Sequence, residues 1–166
     1  LSFTTEEAWW DRYGRDGSVH LAGFYAAPAA RLDTALDAKW EKVRKVRRAV
    51  TGALELERAA KRMGSSLEAA PIVHVADAEL MAALEGIDLA EVAITSGASV
   101  VAGEGPADAY RADDIKGVAV VPVKAAGIKC ARSWKYFDPA SADPDFPAIT
   151  PRDAAAMREW KQRHAM

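Results

Sequence analysis

The stretch that decides the fold is LDTALDAKWEKVRKVRRAVTGALELERAAKRMGSSLEA, residues 32–69. It contains no proline and is rich in Ala, Leu, Glu, Lys and Arg, which lose little conformational entropy in a helix. The pattern predicts one helix of about eight turns. Gly64 can end it in the left-handed conformation, and Ser65 and Glu68 have the spacing of a capping box that starts a new turn.

The predicted helix has two different faces. At about 100° per residue, a narrow apolar stripe is expected to face a core. Its members are Leu32, Leu36, Trp40, Val43, Val50, Ala53 and Leu54. Arg47 falls near the centre of this stripe, where an unpaired charge is very costly, so we expect an ion pair with Glu6 or Glu7. Between Lys39 and Arg62 there are nine basic and three acidic residues, which fits either a polyanion-binding face or a solvated one.

Composition is that of an ordinary globular chain. The 166 residues are 50% hydrophobic and 28% charged, with a net charge of −2. No apolar run approaches the roughly 20 residues of a membrane span, and we expect no signal peptide. The single cysteine, Cys130, excludes an internal disulfide and fits a reducing compartment, so we expect a cytoplasmic protein. Because the chain starts at Leu1 without a methionine, we expect it to be part of a longer protein.

Charge is unevenly distributed along the chain. Residues 76–115 hold nine acidic side chains and one basic one, Arg111. A surface this acidic repels nucleic acid. A polyanion would therefore have to approach residues 39–62 or residues 124–135.

After Ala69 the hydrophobic period changes to that of short strands and helices. Strands are predicted at 72–75, 92–95, 98–102 and 117–124, the last at a sheet edge because it contains Pro122. Asp77 is expected to cap a short helix over 78–84. Thr150, Pro151 and Asp153 form a favourable helix start for a final helix from Ala154 to about Arg163. The fold class is therefore α+β.

Five strings carry a resemblance that spans essentially the whole chain. They are LSFTTEEAWW at 1–10, SVHL at 18–21, KWEKVRKVRRAVTGALELERAAKRMGSSLEA at 39–69, AITS at 93–96 and GIKCARSW at 127–134. Together they resemble isoleucyl-tRNA synthetase, in the region C-terminal to its catalytic core. The resemblance implies that 1–69 ends a helical-bundle anticodon-binding domain, 70–125 is a small mixed α/β unit and 126–166 is a zinc-ribbon-like unit ending in a helix.

The same resemblance implies a role in binding tRNA(Ile) at the anticodon stem and loop, next to the rest of the synthetase chain. The whole enzyme would use ATP and Mg²⁺ to attach isoleucine to its tRNA. No catalytic residues are expected here, because the His-Ile-Gly-His and Lys-Met-Ser-Lys-Ser type signatures are absent. The string KRMGSS, residues 61–66, is better interpreted as a helix end.

The zinc unit of this family usually carries two C-x-x-C pairs of thiolates. Here the corresponding positions are Cys130 with Ser133, and Thr150 with Asp153. Hydroxyls that stay protonated at neutral pH hold zinc weakly, so we predict no zinc. Helix capping and aromatic packing are expected to hold the unit instead, through Trp134, Tyr136, Phe137, Phe146 and Trp160.

Two clusters are predicted to contact RNA. On the long helix the phosphate-binding candidates are Lys42, Arg44, Lys45 and Arg48. Near the C-terminus, cations alternate with an aromatic side chain that could stack on a base. These candidates are Lys129, Arg132, Trp134 and Lys135, and the alternative for Trp134 is a place in the core.

Two functions remain open from the sequence. One is tRNA binding without catalysis. The other is a structural or protein-interaction module that packs on the rest of a synthetase. Because the resemblance implies that the first helices of the bundle are missing, we also expect the stripe from Leu36 to Leu54 to be partly exposed and to drive self-association. A metal-dependent enzyme is disfavoured, because His20, His74 and His164 show no ligand or triad spacing.

Overall fold

The computed structural model describes residues 1–164 and divides into two compact units, residues 1–34 and a second unit that begins at Ala35. In the first unit, helix α1 spans Ser2–Tyr13 and ends at Gly14, whose φ is 83°. The Glu6 carboxylate accepts hydrogen bonds from the Ser18 hydroxyl (2.9 Å) and the Val19 amide (3.0 Å). These bonds tie α1 to the short 3₁₀ helix Val19–Leu21, and a second 3₁₀ helix spans Ala29–Arg31.

The long helix, α2, spans Thr34–Ala59 and is shorter than the sequence predicts. The turn that follows Ala59 places Lys61 in the left-handed conformation with φ 57°, so the expected helix end at Gly64 is wrong. The predicted new turn is present as a 3₁₀ helix, Ser66–Glu68. Ser65 Oγ accepts from the Leu67 amide (3.2 Å), and the Glu68 carboxylate accepts from the Gly64 amide (3.1 Å).

The buried face of α2 is rotated from the predicted stripe. Its buried residues are Val43, Val46, Ala49, Val50, Ala53 and Leu54. Leu32 and Leu36 are exposed, so the partial exposure expected for the stripe from Leu36 to Leu54 occurs at its N-terminal end. Arg47 is also exposed, and its Nε donates to the carbonyl of Val92 (2.9 Å). Arg47 therefore does not lie on the buried face, where the sequence places it, and its ion pair with Glu6 or Glu7 stays a prediction.

A small mixed sheet packs beside α2 in the order β2-β1-β3. Strand β1, Ile72–Val75, runs parallel to β2, Ser99–Ala102, and antiparallel to β3, Val118–Val121. Val73, Val75, Val118 and Val120 belong to the same buried cluster as the α2 valines. Strand β3 lies at an edge, as predicted, but it ends at Val121, before Pro122, whereas the predicted strand continued to residue 124.

Two short helices follow β1. Helix α3, Ala78–Ala83, is capped as predicted: Asp77 Oδ1 accepts from the amides of Glu79 (2.8 Å) and Leu80 (2.9 Å). Helix α4, Leu89–Ala93, replaces the strand predicted at 92–95. Asp88 caps α4, because its carboxylate accepts from the amides of Ala90 and Glu91, and this cap selects helix over strand.

The C-terminal segment is a hairpin followed by a helix. Strands β4, Ile128–Lys129, and β5, Tyr136–Phe137, pair antiparallel, and helix α5 spans Pro151–His164. The predicted start of α5 is confirmed, since the Asp153 amide donates to Thr150 Oγ1 (3.2 Å). The predicted aromatic core is wrong in part. Trp134 and Trp160 are exposed, whereas Tyr136, Phe137 and Phe146 are half-buried.

Ser96 joins the hairpin to the rest of the second unit. Its hydroxyl donates to the carbonyl of Leu67 (2.5 Å) and accepts from the amide of Tyr136 (2.6 Å). The whole is a mixed α and β structure with small sheets, as the α+β prediction requires. The predicted domain boundaries at 69/70 and 125/126 stay predictions. Within residues 1–164, no helix combines the length and the apolar character that crossing a membrane requires.

Candidate nucleic-acid interface

The first candidate surface is the face of α2 that points away from the core, which we call the α2 basic face. Arg44, Lys45 and Arg48 lie on it, opposite the buried valines, because a period of 3.6 residues places positions i, i+1 and i+4 within one half of the helix. All three side chains are exposed. Together with Glu41 and Thr51 they line a shallow, open groove.

Three of the four cations predicted on α2 form ion pairs with carboxylates. The Lys42 ammonium lies 2.7 Å from the Glu79 carboxylate, and a guanidinium nitrogen of Arg48 lies 2.9 Å from Asp114. These two partners belong to the acidic segment 76–115, so part of that segment neutralises the long helix rather than forming a separate acidic face. Arg44 pairs with Asp37 on its own helix at 3.3 Å.

Lys45 differs from its neighbours. Over residues 1–164, no hydrogen bond or ion pair engages its ammonium group, although the side chain is exposed. A pair such as Arg48 with Asp114 is more than half exposed on both sides and contributes about 0 to 1 kcal/mol. The α2 basic face therefore offers one free cation and two, Arg44 and Arg48, whose partners hold them weakly.

The second candidate surface is the loop of the C-terminal hairpin, residues 130–135, which we call the hairpin loop. Its ends are joined because the Cys130 amide donates to the carbonyl of Lys135 (2.8 Å). Trp134 is 61% exposed and has φ 63°. The Lys129 ammonium lies 5.1 Å from the centre of the Trp134 ring, a cation–π distance. The alternative that Trp134 packs in the core is wrong.

The two other cations of this cluster differ in their freedom. Arg132 is exposed in the loop. The Lys135 ammonium makes an ion pair with Glu91 of α4, and its side chain is mostly covered. Arg152, at the start of α5, lies 3.9 Å from the same carboxylate. Sequence reasoning did not single out Glu91 or Arg152.

Helix α4 connects the two candidate surfaces. Arg47 of α2 donates to the carbonyl of Val92, while Lys135 binds the carboxylate of the preceding residue, Glu91. The hairpin is thus anchored on the same short helix that α2 contacts. No sequence signal marks this connection, because it depends on residues 44 or more positions apart in the chain.

The four positions with zinc-site spacing are brought together, and we call them the Cys130 cluster. The Cys130 thiol, which is fully buried, donates to the Asp153 carboxylate (3.2 Å), and its sulfur accepts from the Ser133 amide (3.3 Å). Thr150 Oγ1 also donates to Asp153 (2.8 Å). The Ser133 hydroxyl is buried and makes no hydrogen bond to any other described group.

Electrostatics in the Cys130 cluster favours the charged forms of its acids. Burial raises the pKa of Asp153, but the groups of Ser133, Thr150 and Cys130 outweigh burial and leave that pKa below its ordinary value. Burial likewise raises the pKa of the Cys130 thiol, while the Ser133 dipoles and nearby backbone amides lower it below that of a free thiol. The Ser133 hydroxyl acts here as a neighbouring dipole. In residues 1–164 no three His, Cys, Asp or Glu side chains converge closely enough to hold a metal ion.

Comparison with known proteins gives one consistent result. No protein-family profile matches the chain. It is 58% identical over 159 residues to the isoleucine–tRNA ligase of Brucella abortus, and 57% identical over 159 residues to that of Agrobacterium fabrum. The ligase of Bradyrhizobium diazoefficiens is 57% identical over 162 residues. These matches cover 96 to 97% of this chain, which spans 16% of the length of each relative.

Proposed function

We propose, from the premise that the chain is homologous to a segment of the isoleucine–tRNA ligases, that it binds tRNA(Ile) at the anticodon stem and loop. Within such a ligase it would form part of the C-terminal region, and the rest of the chain would carry the ATP- and Mg²⁺-dependent attachment of isoleucine. The segment itself contributes recognition and no catalytic group. A cytoplasmic location belongs to the same proposal.

The observation that carries this proposal is the hairpin loop. An exposed aromatic ring beside a lysine offers stacking for an unpaired base and a cation for the adjoining phosphate. Anticodon loops present unpaired bases, and sequence-specific RNA recognition mostly targets such bases. The Trp134 ring is accessible for such stacking, because the hairpin loop leaves most of it exposed to solvent.

The α2 basic face would contribute phosphate contacts. Lys45 could bind a phosphate without first leaving a carboxylate partner. Arg48 would exchange the exposed Asp114 carboxylate for a phosphate at little cost in free energy. Such contacts add affinity without sequence information. The hairpin loop would then read bases, while the helix positions the RNA.

A salt titration of binding to a tRNA(Ile) transcript tests the division of roles. For the Lys45→Ala variant, the slope of log K against log salt should become less negative by about 0.7 to 0.9. The matched control is Arg163→Ala, which removes an exposed cation from the last turn of α5 and should leave the slope unchanged. Absence of binding at low salt would refute the proposal.

A substitution at Trp134 distinguishes a role in RNA binding from a role in stability. Because its φ of 63° is strained for a non-glycine residue, Trp134→Gly should leave thermal stability equal or higher. Loss of base stacking should lower affinity by about 1 to 3 kcal/mol, roughly five- to 150-fold, with an unchanged salt slope. Lower stability with unchanged affinity would instead assign the ring a structural role.

A second function, a structural module that packs on the rest of a synthetase, is supported by the first unit. Several of its large apolar side chains are exposed: Leu1, Phe3, Leu21 and Phe24. In an isolated chain this apolar surface favours self-association. Sedimentation velocity at rising concentration tests this, since a strictly monomeric chain with tight tRNA binding would support the RNA function alone.

A further inference from the structure

The Cys130 cluster has the layout of a four-ligand metal site. Two pairs of residues, each spaced i and i+3, come from the hairpin loop and from the start of α5. Their side chains meet at one carboxylate, which lies 3.2 Å from the Cys130 sulfur and 2.8 Å from the Thr150 hydroxyl. In a tetrahedral thiolate site with Zn–S bonds of about 2.3 Å, the sulfurs lie roughly 3.8 Å apart.

The side chains present do not fit zinc, although their positions do. A structural zinc site takes thiolates and imidazoles, and this cluster offers one thiol, two hydroxyls and one carboxylate. Three of its four side chains also hydrogen-bond to one another. Asp153 accepts from both Cys130 and Thr150, and Thr150 in turn accepts from the Asp153 amide.

We propose that the Cys130 cluster is a metal-free hydrogen-bonded staple that retains the backbone geometry of a four-thiolate zinc site. The staple joins the hairpin loop to α5 through direct bonds rather than through a shared ion. The buried Ser133 hydroxyl lacks a hydrogen-bond partner among the described residues, so this position of the four does not take part in the hydrogen-bond network.

The staple has a structural reason. A two-stranded hairpin is marginal by itself in water, and the ladder of β4 and β5 holds only two residue pairs. The Cys130–Asp153 bond closes a loop between residues 23 positions apart, and the Ala131 amide donates to the carbonyl of Ala148 (2.9 Å) alongside it. Removing the bond should therefore loosen the hairpin loop that carries Trp134.

Metal content and metal independence test the first half of the proposal. The full chain, purified under reducing conditions without chelator, should contain far less than one zinc per chain by elemental analysis. Its thermal midpoint should not change on addition of a chelator. Close to one zinc per chain, or a fall in the midpoint with chelator, would overturn the metal-free staple.

Restoring thiolates tests the second half. The triple variant Ser133→Cys, Thr150→Cys, Asp153→Cys should bind Co²⁺ with the intense visible bands of tetrahedral thiolate coordination, and zinc should displace it. The double variant Ser133→Cys, Thr150→Cys retains the Asp153 carboxylate as the fourth ligand, beside three thiolates. It tests metal binding with the native carboxylate in place. Folding of either variant only on metal addition also supports retained geometry, whereas no tetrahedral Co²⁺ spectrum in both variants overturns it.

Asp153→Asn separates a staple from passive packing. The variant keeps the size of the side chain but replaces the carboxylate that accepts from Cys130 and Thr150. The reaction of Cys130 with a disulfide reagent should then accelerate by tenfold or more, because the buried thiol loses the charged acceptor that holds the hairpin loop to α5. An unchanged rate would show that the bonds do not hold the hairpin.

Discussion

Gly127 is the position at which a single methyl group should open the hairpin. Its φ is 95°, and a Cβ built on it would lie 2.1 Å from the carbonyl oxygen of Phe137 and 2.7 Å from the carbonyl carbon. Both are backbone atoms of the paired strand β5, so neither can move without breaking the β4–β5 ladder. Gly127→Ala therefore combines a left-handed backbone, at about 1 to 2 kcal/mol, with a steric shift of about 1 to 3 kcal/mol.

Cys130 reports this opening directly, because it is the only cysteine, is fully buried and follows β4. When local opening equilibrates faster than the thiol reacts, the reaction rate follows the population of the open form. A total of about 2 to 5 kcal/mol raises that rate by roughly 30- to 4000-fold. The measurement is the rate of Cys130 modification by a disulfide reagent in native buffer.

Gly103→Ala is the matched control. Gly103 has φ 122° and no atom within 4 Å of its added Cβ, so it carries the conformational strain without the clash. It should lower global stability by about 1 to 2 kcal/mol and leave the reactivity of Cys130 close to that of the parent. If Gly127→Ala reacted no faster than Gly103→Ala, the close approach of Gly127 to Phe137 would not constrain the hairpin, and the reasoning would fail.

Two further predictions concern stability. Ile94→Gly should raise the urea midpoint of unfolding, because Ile94 ends α4 at φ 57° and is 56% exposed. Glycine removes about 1 kcal/mol of backbone strain at this position. The control is Leu56, which is similarly exposed but lies within right-handed α2, so Leu56→Gly should lower the midpoint. The Arg158 guanidinium holds the pKa of Asp143 below its ordinary value. The ion pair therefore gives its full contribution to stability at pH values above the unfolded aspartate pKa of about 3.9. This contribution is lost as the pH falls through the lowered pKa of the folded protein. A urea midpoint measured across that range should fall less in Arg158→Ala than in the parent, and equal falls would refute the assignment.

Local polar signals in the sequence predicted several elements correctly. Asp77 and Thr150 each cap a helix at the predicted position, because a side-chain cap depends only on residues two or three positions away. The edge position of strand β3 was predicted from Pro122, which lies just past the end of the strand at Val121. The four positions of the Cys130 cluster were identified through the family resemblance, as the positions that correspond to its two C-x-x-C pairs.

The errors have two sources. Ile94 and Thr95 are typical strand residues, and sequence analysis overlooked the local cap at Asp88, which makes α4 a helix and leaves Ile94 as its left-handed end. The other errors depend on distant residues. The buried stripe of α2 includes Val46 and Ala49, which the sequence stripe omits, because the sheet packs against a rotated face. The partners of Lys42 and Arg48 lie 37 and 66 residues away, beyond any periodic pattern.

The backbone strain of Trp134 bears on function more than on fold. Among residues 1–164, three non-glycine residues have positive φ: Lys61, Ile94 and Trp134. The first two end helices, a place where this conformation satisfies terminal carbonyls. Trp134 ends no helix and leaves most of its large ring in solvent. Glycine or asparagine would hold the same turn with less strain. Within the described residues the Trp134 ring contacts the Lys129 ammonium, and the proposed stacking on an RNA base would give a second reason for tryptophan at this position.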